Sequence, residues 1–224
     1  MRWVTYLSPS GGTERSGVID DGCVFGHPGG VGLAELLDAD PAGLAAAHTE
    51  ALDAPLEIIV EFETRLCVPV RPDRPVPVAA DGGRLHLAPE LVHGTDDGAP
   101  LPPGASGLTA SVGAAELHGA SGRLLGRTAA CLWRTPDGAP VRLSIGPAVV
   151  TPDEQGTGPL RVTAEADGAV LAAADLPADG SWAEPGERLS AAVPATTRPL
   201  EPGEELFVDA GPLGEFEIRV GAEA

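Results

Sequence analysis

Residues 108–134 read LTASVGAAELHGASGRLLGRTAACLWR. Two apolar runs flank the turn sequence GASG, the pattern of a β-hairpin with long arms. The rest of the chain is organised around this hairpin: the N-terminal half leads into it, and the C-terminal strands are expected to close a barrel about it.

Working outward, residues 3–7 alternate as a strand. Residues 16–24, SGVIDDGCV, give a strand, an Asp21-Gly22 turn and a second strand. From Gly32 to Ala54 the period becomes helical. Leu33, Leu36 and Leu37 share a face, Asp40-Pro41 interrupts the run, and Leu44 to Leu52 resumes it. Glu61 and Glu63 alternate with Phe62 and are expected as surface charges on a strand. Residues 71–83 are rich in Pro, Asp and Gly and are expected as a loop, with a short strand at 85–91. Beyond the hairpin, residues 141–150 form a strand that stops at Thr151-Pro152, and Asp167-Gly168 joins two further strands. The sequences beginning at Glu184 and Glu201 form a weak repeat, each a Pro-Gly turn feeding a strand. The fold class is mainly β (α+β): a small N-terminal α+β domain over residues 1–66 and a rolled-sheet or barrel domain over residues 67–224.

Composition narrows the chemistry. The 224 residues carry 33 acidic against 14 basic side chains, a net charge of −19, which argues against nucleic-acid binding. Every basic residue is Arg, so a Walker lysine, a Schiff-base lysine and a Ser-x-x-Lys pair are excluded. Cys23, Cys67 and Cys131 are odd in number and widely spaced, which fits buried thiols in a reducing compartment. The N-terminus lacks a signal-peptide pattern, and no apolar run approaches a membrane span. A cytoplasmic protein without membrane partners is expected.

The order of motifs resembles the fumarylacetoacetate hydrolase family. Residues 66–70, LCVPV, resemble the end of that family's small N-terminal domain. The turn at 100–104, PLPPG, resembles its strand-opening turn. Gly146-Pro147 with Val149-Val150-Thr151-Pro152-Asp153 resembles its "GP-w-v-T-pdE" segment, and the two Pro-Gly-Glu turns resemble its paired "L-x-P-G-D" turns. The resemblance covers nearly the whole chain. It implies a homodimer acting on a small enolisable molecule, with Mg²⁺ held by a Glu-x-Glu pair and an Asp on the hairpin.

Those ligand positions fall here on Ser111, Gly113 and Leu132, and the family's "G-T-P" loop falls on Ala192-Val193-Pro194. No cofactor is therefore expected, and the usual C–C bond hydrolase chemistry is disfavoured. The reading is a metal-independent cyclase, isomerase or lyase, with bacterial specialised metabolism as its setting. The alternative is a non-catalytic binding or partner subunit. Candidate catalytic residues are His86, Arg134, Arg142 and Ser111, and candidate pocket walls are Gly113, Leu132, Trp133 and Val193.

Each candidate also has a plainer reading. His86 suits a general base or a surface histidine, and Arg134 and Arg142 suit anion partners or strand-edge charges. Trp133 suits core packing. Glu116 and His118 could share a strand face as two metal ligands, or sit together by chance. His27, His93 and His118 are expected at the surface, and Cys131 in the core.

Overall fold

The hairpin at 108–134 forms, and long strands on both sides extend it. The computed structural model describes residues 1–177, 182–183 and 186–222. In chain order, β1 is Arg2–Leu7, β2 Glu14–Asp20 and β3 Cys23–Gly26, before α1 at Leu33–Asp38 and α2 at Pro41–Asp53. Next come β4 at Ile58–Val60, β5 at Leu66–Cys67, β6 at Val76–Ala80, β7 at Gly83–Leu87 and β8 at Val92–His93. The long strands are β9 at Thr109–His118, β10 at Leu124–Arg134 and β11 at Pro140–Val150, with α3 at Pro152–Gln155. The remainder is β12 at Leu160–Ala166, β13 at Ala169–Leu176, β14 at Leu189–Thr196, β15 at Glu205–Asp209 and β16 at Glu215–Arg219.

One sheet runs in the order β4-β3-β2-β1-β11-β10-β9-β14-β6-β7, with β5 paired to β1 and β8 to β11. A second, of four strands, runs β13-β12-β15-β16. The expected barrel does not close: the first sheet ends at β4 on one side and β7 on the other. The reason lies in what covers the hairpin. Alternate residues of β9 and β10 point to opposite faces. Val112, Ala114, Ala129, Cys131 and Trp133 pack with Leu160, Val162, Leu206 and Val208 of the second sheet. Ala115, Leu117, Ala130 and Leu132 pack with Trp3 and with Leu33, Leu36 and Leu37 of α1. The apolar runs of the hairpin are thus those of strands buried on both faces, and a separate sheet supplies the cover that curling would otherwise provide.

Local signals explain the edges of these elements. Asp40 caps α2, its carboxylate accepting from the backbone N–H groups of Ala42 and Gly43 at 2.9 Å each, and Pro41 takes the first helical position. Asp21-Gly22 and Asp167-Gly168 form two-residue turns with positive φ at both positions, as hairpins of this kind require.

Other expectations need correction. The loop predicted over 71–83 contains β6, a central strand parallel to β14 and antiparallel to β7. Val76, Val78 and Ala80 supply the inward alternation that the neighbouring prolines obscure. Glu61–Glu63 is a 3-10 turn, not a strand, and leaves Phe62 87% exposed. His27 and His118 are buried, not at the surface. Of the weak repeat, Glu184 and Pro185 lie outside the described residues.

Candidate functional site

Four strand ends meet at one edge of the larger sheet. They are the start of β9, the end of β10, the end of β14 and the β6–β7 turn. Ser111, Arg134, Thr196 and Asp81 project there. Register enforces the meeting: Ser111 pairs across to Thr196 on one side and to Leu132 on the other, with Arg134 two residues beyond Leu132.

The Arg134 guanidinium donates to Ser111 Oγ at 2.6 Å and also to the Asp81 carboxylate. Thr196 Oγ1 donates to Asp81 Oδ1 at 2.9 Å and lies 2.8 Å from Ser111 Oγ. Each hydroxyl has a single proton to give. With that of Thr196 committed to Asp81, Ser111 donates to Thr196, and the four groups close a ring of hydrogen bonds that ends twice on one carboxylate. Ser111 is fully buried and forms the floor, while Asp81 and Thr196 open to solvent. Burial pushes the Asp81 carboxyl up, but hydrogen bonds from Arg134 and Thr196 outweigh it and hold the group below the usual carboxylate range. Arg134 Nε is buried with no hydrogen-bond partner among the described residues.

The other candidates lie elsewhere. His86 is exposed on β7, the terminal strand of its sheet. Arg142 donates to the backbone carbonyls of Asp97 and Gly98, the latter at 2.7 Å, and so fastens a turn. Trp133 faces the second sheet, its indole N–H 3.3 Å from Ser144 Oγ. Val193 and Leu132 are fully buried members of the core beside α1. Asp81 and Thr196 are functional candidates that the sequence does not single out. The Asp81-Gly82 dipeptide, with φ of 49° and 73°, is the available signal, because it is the same turn chemistry seen at Asp21 and Asp167.

The positions that the family resemblance assigns to a divalent cation do not fit one. Ser111 Oγ is engaged by Arg134, itself a cation. A Cβ on Gly113 would fall 1.9 Å from the Ala192 carbonyl oxygen, so backbone occupies the space of a side chain. Leu132 offers hydrocarbon. Among the described residues no group of three or more His, Cys, Asp and Glu is arranged to hold a metal ion. Glu116 faces the opposite side of the sheet from Gly113 and is fully buried. Its carboxylate accepts from Arg127 Nε at 3.0 Å and Nη2 at 2.8 Å. His118 stands 4.0 Å from Glu116, and burial lowers its pKa.

An apolar cavity of about 410 Å³ opens at the far end of the hairpin, between Leu37, Val76, Leu117, Leu125 and Leu189. Seven residues of extended chain, about 23 Å, separate Ser111 from His118 on its wall. The cavity and the polar ring are therefore distinct.

No family model and no curated protein matches the sequence. Solved structures match over the whole length. Maleylpyruvate hydrolase from Sphingobium sp. SYK-6, in complex with manganese (II) ion and pyruvate, is 15% identical with a TM-score of 0.76, covering 98% of both chains. Fumarylacetoacetate hydrolase from psychrophilic Exiguobacterium antarcticum is 16% identical with a TM-score of 0.75, covering 100% of both. 2-Hydroxyhepta-2,4-diene-1,7-dioate isomerase from Mycobacterium marinum is 17% identical with a TM-score of 0.65, covering 98% of this chain and 97% of that one. The chain has the fold of the fumarylacetoacetate hydrolase superfamily. Its structural relatives include hydrolases, isomerases and a dehydratase. No helix among the described residues is long and apolar enough to cross a membrane.

Proposed function

We propose that this protein acts without a metal on a small enolisable carboxylate such as a 2-oxo acid, catalysing an isomerisation, dehydration, decarboxylation or cyclisation. The observation that carries the reading is the ring of Arg134, Ser111, Thr196 and Asp81, whose Ser111 stands at one of the three positions the family resemblance assigns to metal carboxylates. A divalent cation in such a fold would neutralise an enolate. A largely buried guanidinium serves the same end through fixed charge and directed hydrogen bonds. Arg134 is assigned the substrate carboxylate or enolate oxygen, and Ser111 the orientation of that guanidinium. The Gly113, Leu132 and Val193 side of the sheet gives the site a rigid apolar backing. His86 is retained as a candidate base only through its hairpin. It sits four residues beyond Gly82 of the β6–β7 turn, about 13 Å along the strand, and hairpin movement would have to bring it in. Arg142 and Trp133 have no part in the proposed chemistry.

The test is turnover of a panel of 2-oxo acids and β-dicarbonyls in excess chelator, with Arg134→Gln as the comparison. Chelator-resistant turnover that falls at least about a hundredfold in Arg134→Gln is expected for loss of an enclosed anion-stabilising group. Turnover that appears only with added Mg²⁺ or Mn²⁺ would sink the reading.

A non-catalytic partner subunit is the second reading, and one observation favours it. Leu56, Ile58, Val60 and Phe62 are all exposed on or beside β4, the other terminal strand of the large sheet. An uncovered apolar sheet edge is a natural pairing surface, and a homodimer is proposed through it. Sedimentation of the wild type against Phe62→Ser tests this: a mass that stays at one chain in both would remove it. The three free cysteines support a reducing, cytoplasmic setting.

A further inference from the structure

The feature the proposed chemistry leaves unexplained is Asp81. An enzyme that uses Arg134 to hold an anion gains nothing, at first sight, from a carboxylate already bound to it. Yet Asp81 is placed with care. It takes φ of 49° at the first position of a two-residue turn, a backbone state disfavoured for most side chains but tolerated by Asp and Asn. The turn projects the carboxylate over the floor of the site, where one oxygen accepts from Thr196 and the other from Arg134. A free carboxylate arriving from solvent would need the same donors.

We infer that Asp81 is a built-in competitor that occupies the ligand's carboxylate position and is displaced when a carboxylate ligand binds. The inference rests on the reading of Arg134 as a ligand-binding group, and it adds regulation and selectivity to that site. Three further observations support displacement over a permanent clamp. Asp81 is the exposed member of the pair, with 47% of its side chain accessible against 15% for Arg134. Its turn leads into the last strand of the sheet: β7 has β6 as its one neighbour in the strand order, so movement of the turn and β7 disturbs only the β6–β7 ladder, while β6 stays held by β14. Asp81 engages the guanidinium through Nη2 alone, whereas a planar guanidinium presents paired donors that suit an incoming carboxylate.

Displacement has two consequences. Apparent affinity is reduced by the fraction of molecules in which Asp81 is off the guanidinium. Discrimination is also sharpened: a neutral carbonyl compound cannot displace a bound carboxylate, whereas an anion can.

Calorimetry with oxalate and pyruvate at neutral pH tests the inference, with pyruvamide as the uncharged control. Asp81→Asn keeps a residue that accepts positive φ, so the turn survives, but it removes the charge that holds Arg134. Expected is a fall of at least about tenfold in Kd for both anions, as removal of an internal competitor predicts, and no gain for pyruvamide. In the double variant Asp81→Asn/Arg134→Gln the gain should vanish. Because Arg134 is largely enclosed, Asp81→Asn/Ser111→Ala is a gentler second variant, and it should weaken binding without loss of fold by circular dichroism. Unchanged or weaker anion binding in Asp81→Asn would overturn the inference, since Asp81 would then be a structural partner. A gain that survives Arg134→Gln would overturn it equally, because the anion would be binding elsewhere. Absence of turnover in all these proteins, alongside the expected binding pattern, would sink the enzymatic reading and leave this one intact.

Discussion

The carbonyl oxygen of Ala192 occupies the space that any side chain at residue 113 would need: an ideal Cβ on Gly113 would lie 1.9 Å from it. The approach occurs where β14 shifts register against β9, between Ala192 and Ala195. Glycine at 113 is therefore demanded by backbone packing. Gly113→Ala should destabilise by about 1–3 kcal/mol, as overpacking does, measured by chemical denaturation. The larger Gly113→Glu should not create a cation site even when combined with Ser111→Glu and Leu132→Asp. Calorimetry showing stoichiometric Mg²⁺ binding by a folded triple variant would refute this.

Leu132 shows the same exclusion from the side of the core. It is fully buried among Trp3, Leu143, Ile145 and Val193. Leu132→Ala should cost about 2–5 kcal/mol through lost burial and a residual cavity. Leu132→Asp should do worse, because it buries a charge without a partner. A thermal melt of Leu132→Asp within a few degrees of wild type would mean that this position opens to water.

The Glu116–Arg127 pair is the principal buried charge pair of the opposite face. Arg127 also donates to Gln155 at 3.2 Å and lies over the Trp182 ring at 5.1 Å, while Glu116 accepts from the Trp182 backbone N–H. Truncating one partner leaves the other charge in the core. Glu116→Ala should thus cost about 3–5 kcal/mol in urea unfolding, and the double change Glu116→Leu/Arg127→Met should recover much of it. Additive losses in the two single variants would contradict a coupled pair.

The hairpin is legible in the sequence because its apolar runs and Gly-rich turn are local signals, and so are the Asp40 cap and the Asp-Gly turns. What stays hidden is set by distance along the chain. Val76 and Val78 look like loop residues until β14, more than a hundred residues later, pairs beside them. A covering sheet cannot be distinguished from a curled one in sequence, since both bury the same faces. Ser111 and Arg134 lie on one hairpin and are legible together. Asp81 and Thr196 join them through strands β6 and β14, a pairing that no single stretch of sequence reveals. Glu116 and His118 read in sequence as metal ligands or as neighbours by chance, and the deciding factor is Arg127, which register places opposite Glu116.

The Asp81 carboxyl gives the ring a measurable pH signature. Burial alone would raise its pKa, and the hydrogen bonds from Arg134 and Thr196 bring it below the ordinary value. A carboxyl depressed in the folded state contributes stability that is present above the unfolded pKa of about 3.9. That contribution is lost as pH falls through the folded value. In Arg134→Met the largest of the lowering interactions is gone while the burial remains, so Asp81 should titrate at a clearly higher pH than in wild type. The stability gap between the two proteins should accordingly be open at neutral pH and narrow on acidification below the ordinary carboxylate range. Carbon-13 NMR of the Asp81 carboxyl and parallel urea titrations across acid pH provide the measurement. A wild-type Asp81 that titrates at or above the ordinary aspartate value would show that Arg134 does not hold it.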